Sequence, residues 1–350
     1  MATTGDRKFM QRCLDLAIKA EGGTYPNPLV GSVIVHEGEI IGEGYHMKAG
    51  GPHAEVKAID SVTDKRMLAF SSIYVNLEPC SHFGKTPPCA DLIVSHKIPE
   101  VVVGTTDTSS KVSGRGLSIL REAGCRVILG VAEDNCRKIN KRFFTFHEKK
   151  RPYISLKWAQ SADGFIDIDK EIRNRTGPGW ITGKPERILV HKWRAAEQAI
   201  LVGAGTVRVD NPRLNVREWR GSDPIRIILT GSGILPGELA MNNVIGSQVI
   251  FSFFPEKINL PGSVVVKLNN HESSAVQILD YLYRWGIQSL FIEGGAGVLN
   301  HFISLGLWDE ARIFTGDQIY GNGVKAPEIS GTIFHKTKFS SSRLEMLNNS

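Results

Sequence analysis

In the stretch Pro52-His53-Ala54-Glu55 a histidine and a glutamate stand two residues apart, and Cys80 and Cys89 follow in a proline-rich segment. One imidazole and two thiols form the nitrogen and sulfur set that zinc prefers, and three protein ligands leave the fourth tetrahedral position open to water. An open position marks a catalytic ion, because a structural site fills all four with side chains. Pro52 and Pro88 each open a helix, so the ligands gather near helix amino ends, whose partial positive charge favours thiolates. Glu55 is too near His53 to be a comfortable further ligand, yet near enough to touch a metal-bound water. It reads as the proton carrier.

Histidine-x-glutamate followed by Pro-Cys and a second Cys is the signature of zinc nucleobase deaminases, in which hydroxide attacks the amine-bearing ring carbon and the glutamate shuttles protons. Here eight residues, Ser81 to Pro88, separate the two cysteines where the signature has two. The extra loop brings polar groups that can face the metal. Cys13, Cys125 and Cys136 read as apolar-face residues of helices and strands. A second constellation consists of Gly203-Ala204-Gly205-Thr206 and Gly294-Gly295-Ala296-Gly297, each following a strand-like run. Both can bring backbone amides to phosphate, and both can equally be plain tight turns. Neither completes G-x-G-x-x-G, since Arg208 and Asn300 stand at the last position, so a Rossmann domain is disfavoured.

These residues need elements to hold them. Phe9, Met10, Cys13, Leu14 and Ala17 recur at helical spacing, and strand-like runs at 29–35 and 40–45 flank a turn. Strands at 73–77, 101–104 and 126–129 then alternate with helices from Pro52, at 88–96 and at 116–123, which predicts an α/β unit, mostly parallel after the hairpin. A charge run, Glu148-Lys149-Lys150-Arg151, precedes Pro152, which blocks helix continuation. The boundary is placed there, with domains over 1–147 and 153–350 and a linker over 148–152. The second domain shows strand-like runs at 153–157, 199–202, 225–229, 248–251, 264–267 and 289–292, with helices near 185–197, 275–285 and 298–305. Two domains suit 350 residues that are 41% apolar and 22% charged. The net charge of +6 is spread evenly, without the basic stripe of a nucleic-acid binder. No apolar run approaches the roughly 20 residues of a membrane span, and the charged amino terminus does not read as a signal peptide. Five cysteines, an odd set, suit a reducing cytoplasm with a metal site better than a disulfide framework.

Seven stretches resemble one family, the bifunctional riboflavin biosynthesis proteins, in which a pyrimidine deaminase is fused to a reductase. They are TYPNPLVGSVIV, GPHAEVKAI, NLEPCSHFGKTPPCADLI, SGRGLSILREAG, LKWAQSADG, ILVGAGTVRVDNPRLNVR and FIEGGAGVLNHF, and they span nearly the whole chain. The long spacing between the cysteines separates this family from cytidine and tRNA adenosine deaminases. The resemblance implies a cytidine-deaminase-like three-layer αβα domain followed by a dihydrofolate-reductase-like α/β domain, with Zn2+ and NADPH as cofactors. It implies hydrolytic removal of an exocyclic amine from a phosphoribosylamino-diaminopyrimidinone, then reduction of its ribosyl chain to ribityl.

By the same resemblance, His53, Cys80 and Cys89 hold zinc, Glu55 is catalytic, Asn27 holds the pyrimidine edge, and His46, His82, Lys85 and Asp107 line the pocket. Asp107-Thr108-Ser109-Ser110 stands where the family shows Asp-Pro-Asn-Pro. Ala159, Trp180, Thr206, Asp210, Gly294, Gly295, Ala296 and Gly297 would hold the dinucleotide. Lys157, Arg194, Leu214, Arg217 and Glu293 would hold the ribose phosphate and pyrimidine, with Asn215 where the family commonly has Thr. Either Lys157 or Asp210 can protonate or orient the ribose oxygen. The implied partner is this small-molecule substrate, without nucleic acid or membrane, and the implied assembly is a homo-oligomer, dimer or tetramer. Two other readings are an RNA-directed deaminase whose second domain delivers substrate, and a deaminase whose second domain is an oligomerisation module.

Overall fold

The computed structural model of the chain describes residues 4–81, 87–109, 114–168, 180–244 and 246–349. It divides into two compact units, Met1–Lys150 and Arg151–Ser350.

In the first unit α1 (Thr4–Ala17) precedes the hairpin of β1 (Gly31–His36) and β2 (Glu39–Tyr45). Next come α2 (Ala54–Ser61), β3 (Ser72–Leu77), α3 (Cys89–Ser95), β4 (Glu100–Thr105), α4 (Arg115–Glu122) and β5 (Arg126–Leu129). Two helices close the unit, α5 (Glu133–Ile139) and α6 (Lys141–Lys149). The sheet order is β2-β1-β3-β4-β5, antiparallel on both sides of β1 and parallel from β3 onward. Successive side chains of a strand point to opposite faces, and these strands are apolar on both. Val33, Val35, Tyr74 and Val102 pack with Phe9, Met10 and Leu14 of α1 and Cys136 of α5. Ile34, Ile73, Val75 and Val103 pack on the other face with Ile59 of α2, Ile93 of α3 and Leu120 of α4. The result is three layers. On β2, a Cβ at Gly44 would overlap the Ala54 carbonyl oxygen, so only a glycine lets α2 lie this close. That approach sets the position of the helix's first turn.

The second unit opens with β6 (Tyr153–Gln160), β7 (Phe165–Ile168), α7 (Lys184–Ala196), β8 (Ala199–Gly203) and α8 (Ala204–Asp210). It continues through β9 (Ile225–Thr230), β10 (Gln248–Ser252), β11 (Val264–Lys267), α9 (Ser274–Arg284), β12 (Ser289–Ile292) and α10 (Ala296–Ser304). The last elements are β13 (Glu310–Gly316), β14 (Gly323–Lys325), β15 (Thr332–Lys338) and β16 (Ser342–Asn348). The large sheet runs β11-β10-β9-β8-β12-β6-β13-β16-β15. It is parallel from β11 to β13 and antiparallel at β16 and β15. Leu156, Leu201, Ile227 and Ile292 face α9 and α10 across one core, while Ile200, Val202, Ile228 and Phe291 face Val190 of α7 and Val207 of α8 across the other. A separate ribbon pairs β7 with β14.

Several elements differ from expectation. Residues 148 and 149, expected in the linker, end α6, whose Phe143 and Phe144 are buried against Leu77. The run from Ala204 is no tight turn but the start of α8, and β7, α5, β13, β14, β15 and β16 lay outside the sequence-predicted elements. Replacing Gly44 by Ala should lower stability by about 2 kcal/mol through overpacking. Gly205→Ala, where a Cβ meets nothing, should cost none. Urea unfolding of the two variants checks this, and equal midpoints would sink the close-packing argument.

Candidate active sites

The first site forms where two helix starts meet the loop after β3. His53 caps α2 in extended conformation, Cys89 is the first residue of α3, and Cys80 follows β3. The Cys89 backbone N–H donates to the Cys80 sulfur at 3.3 Å, and the Ala90 N–H donates to the Cys80 carbonyl at 3.2 Å. His53 Nδ1 lies 3.3 Å from Cys89 Sγ and 3.5 Å from Cys80 Sγ, and the three donor atoms lie within 4.8 Å of one another. A tetrahedron with Zn–S near 2.3 Å and Zn–N near 2.0 Å has a nitrogen-to-sulfur edge of about 3.5 Å. The donor set therefore fits zinc in both chemistry and span.

Charge in this space is unbalanced. The Cys80 thiol is pulled down to about 4, chiefly because the Cys89 thiol donates to it, with His53 adding to the effect against burial. Cys89, as the donor and buried, is pushed up. The sulfur of Cys80 is thus the thiolate end of the pair, and its hydrogen bond raises His53. Glu55, in the first turn of α2 and 3% exposed, is raised to about 7 by burial and then by the negative sulfur. A carboxyl poised near neutrality both takes and gives protons readily.

Two predicted substrate residues are tied to this centre. His46 donates from Nδ1 to the Pro52 carbonyl at 3.1 Å, which leaves Nε2 to accept from Asn27 Nδ2 at 3.0 Å. Burial lowers His46, in keeping with this neutral form, and its ring meets His53 edge-on with centroids 5.5 Å apart. Asp107 is buried after β4 and accepts the Ser109 N–H at 2.6 Å. His82 and Lys85 lie outside the described residues.

Glu78, which the motif reading passed over, binds the loops together. Its buried carboxylate accepts the N–H groups of Asp107, Gly114, Gly116 and Leu117 at 3.0 to 3.4 Å. The only sequence signal was a glutamate between a strand and the Pro-Cys pair.

The second site is a cavity of about 380 Å³ at the carboxyl ends of β6, β8 and β12, where ligands of open parallel sheets bind. Lys157 and Ala159 reach it from β6, Arg194 from α7, and Thr206 and Asp210 from α8. Glu293, Gly294, Gly295 and Ala296 form its wall after β12, and Trp180 and Arg217 line it too. Gly297 and Leu214 do not, Leu214 being buried in the core with φ +52. Gly295 has φ +69, a left-handed conformation that favours glycine, and lets backbone approach a ligand here.

Arg194 makes a bidentate pair with Glu293 at 2.6 and 2.8 Å and donates to the Asn215 carbonyl at 3.1 Å. Burial lowers Lys157, with Glu293 opposing that effect. His191, unanticipated, is buried and held down to about 4 by desolvation and then by Arg194 and Arg217. Being neutral, it accepts the Arg217 backbone N–H at 3.3 Å. Arg217 also donates to the Asn215 side-chain oxygen at 3.3 Å, so the Asn at 215 has a bond of its own. Arg187 lies 4.7 Å from the Trp180 ring centre and also lines the cavity. The ribbon contributes Ile166, Asp167 and Val324, which no motif marked. Its base is held by Asp163, which accepts from Ser161 Oγ and from the Tyr320 and Gly321 N–H groups.

The cytidine and deoxycytidylate deaminase zinc-binding region matches residues 3–105, and the RibD C-terminal domain matches residues 152–348. The riboflavin biosynthesis protein RibD of Aquifex aeolicus is 39% identical, over 93% of this chain and 90% of its own length. That of Actinobacillus pleuropneumoniae is 36% identical over 94% and 88%. Among solved structures, a diaminohydroxyphosphoribosylaminopyrimidine deaminase/5-amino-6-(5-phosphoribosylamino)uracil reductase from Thermotoga maritima superposes with a TM-score of 0.90, 35% identity and 99% of both chains covered. RibD of Acinetobacter baumannii gives 0.88, 30% and 99% of both. The folds are accordingly cytidine-deaminase-like and then dihydrofolate-reductase-like. A chain matched on both sides of its boundary, by relatives that run nearly its full length, belongs to the RibD family of riboflavin biosynthesis proteins, and is a bifunctional enzyme with a zinc-binding deaminase unit and a reductase unit.

Proposed function

We propose that the first unit hydrolyses the exocyclic amine of a phosphoribosylamino-diaminopyrimidinone, releasing ammonia, and that the second reduces the ribosyl chain of the product to ribityl with NADPH. The observation that carries the first step is the meeting of His53, Cys80 and Cys89 beside a buried Glu55. Those three residues would hold zinc, which supplies Lewis acidity and a water of lowered pKa. Glu55 takes a proton from the attacking water and returns it to the departing amine, a double role that its raised pKa suits. Asn27, one of whose two amide N–H groups goes to His46, offers its carbonyl oxygen to an N–H of the pyrimidine. Asp107, and by family resemblance His82 and Lys85, complete the pocket.

For the second step, Thr206, Asp210 and the Gly294–Ala296 turn hold the dinucleotide, and bound NADPH would supply the hydride. Arg217, which lines the cavity and makes one exposed bond to the Asn215 side chain, turns its guanidinium to the substrate phosphate, while Arg194 fixes Glu293. Lys157, half-buried at the cavity wall and lowered by desolvation, gives the proton that completes the new alcohol. The five free cysteines support a reducing cytoplasm, and exposed Ile333 and Phe334 on the edge strand β15 support assembly into a homo-oligomer. Among the described residues no helix is long and apolar enough to cross a membrane. The RNA-directed reading, motivated by the basic pI and the zinc signature, has no role for the reductase unit that forms the second half.

Glu55→Gln should cut ammonia release by about 10³-fold or more while zinc content and reduction of pre-deaminated substrate persist. Loss of both activities in a folded variant would reject independent sites. A zinc chelator should likewise silence the deaminase alone, and full deaminase activity in metal-free protein would overturn the zinc assignment. Glu293→Gln leaves Arg194 buried without its partner, a defect of about 3 kcal/mol. It should depress reductase kcat/KM by about 10²-fold with deamination intact, and unchanged reduction would remove Glu293 from the site.

A further inference from the structure

The loop that carries Asn27 is held by two buried asparagines that no step above uses. Asn140, the residue before α6, donates from Nδ2 to the Leu29 carbonyl at 2.9 Å and accepts the Leu29 N–H at Oδ1 at 2.7 Å. Asn76, in β3, donates to the same carbonyl at 3.0 Å and accepts the Gly31 N–H at 2.7 Å. Asn76 is fully buried and Asn140 is 3% exposed. A side-chain amide bonded to both polar groups of one residue is a two-point contact, which fixes the position of that peptide and its direction as well.

Only Pro28 separates Leu29 from Asn27, and a proline's φ is locked by its ring. Pro26 restricts the other side, where the Asn27 N–H donates to the Thr24 carbonyl at 2.8 Å. Few soft torsions therefore lie between the clamp on Leu29 and the Asn27 side chain. The chain of bonds continues from Asn27 to His46, and from His46 to the Pro52 carbonyl beside His53. Buried amides are costly unless bonded, and both of these spend their bonds on the backbone of Leu29 and Gly31, next to Asn27 in the chain. Their geometry suits a loop that must be rigid before substrate arrives.

We propose that Asn140 is a positioning residue of the deaminase, acting through Leu29 to present Asn27 to the pyrimidine ring, with Asn76 as its counterpart from the sheet. The proposal rests on the reading of Asn27 as a substrate contact. A purely structural Asn140 would, when replaced, lower the folded fraction and the zinc content together and leave KM alone.

The test is a double-mutant cycle in the full-length, zinc-loaded protein, with Asn27→Ala, Asn140→Ala and their combination assayed on the diaminopyrimidinone ribotide. Far-ultraviolet circular dichroism and the urea transition of the same preparations count the folded deaminase unit, and zinc is measured directly. Asn140→Ala should raise deaminase KM about tenfold with kcat within about twofold and zinc stoichiometry unchanged. The double variant should be no worse than Asn27→Ala alone, because a residue that acts through another has nothing left to position. Asn140→Asp keeps the acceptor for Leu29 N–H and loses the donor, so its KM should fall between. It carries the same cycle if the alanine variant does not fold. Additive losses, or reduced kcat and zinc at unchanged KM, would overturn the positioning role. An unaltered KM in Asn27→Ala would instead remove the substrate contact itself, and the positioning role with it.

Discussion

Backbone-to-backbone closeness of α2 and β2 underlies the first centre. A helix normally stands off a sheet by the thickness of two side-chain layers, but Gly44 removes one of them under Ala54. The helix start, and with it His53 and Glu55, therefore sits low over the strand ends, level with Cys80 and Cys89. Nothing in the ligands themselves would bring them together. The imidazole belongs to a helix cap, one thiol to a loop and one to another helix, and only the packing of their carriers makes them neighbours.

The two centres treat buried charge in opposite ways. Around Cys80 and Glu55 the protein buries groups that become anionic, and the carboxyl resists ionisation chiefly through burial and then through the negative sulfur, while Cys89 resists it by donating to Cys80 and by burial. A divalent cation would be bound by these sulfurs as thiolates, so its binding would release protons and grow stronger as pH rises. In the reductase cavity the carboxylate has protein partners instead. Glu293 is matched by Arg194 in two bonds, with Lys157 as a second cation near it, which leaves a positive excess suited to an anionic ligand.

Residues that ligate or titrate were legible because zinc chemistry admits few residue types at few spacings. His53, Glu55, Cys80 and Cys89 needed no structure to be noticed, and the strands of the first sheet and those from β6 to β12 in the large one, apart from β7, followed from their apolar runs, whereas buried β13, broken by Glu310 and Arg312, did not. The parts that escaped share a physical reason. Glu78, Asn76, Asn140 and His191 work by bonding backbone, and one-letter codes do not reveal which distant amide a polar side chain will meet. In β15 the exposed Thr-Ile-Phe-His-Lys-Thr-Lys run has neither the apolar continuity of a central strand nor a clean alternation. Helix α8 contains a glycine in seven residues and looked like a turn. Resemblance to a known family supplied the reductase residues that spacing alone left open. The departure at Asn215 turned out to have a hydrogen-bonding explanation.

Glu78 also stands in for a missing helix cap. The first turn of α4 has a glycine at its cap, Gly114 with φ +82, and no side chain there accepts its amides. Those amides are answered from the end of β3 by one carboxylate. The same carboxylate accepts the Asp107 N–H, so one side chain pins the turn after β4 and the amino end of α4 together, and a fault at Glu78 would reach both at once.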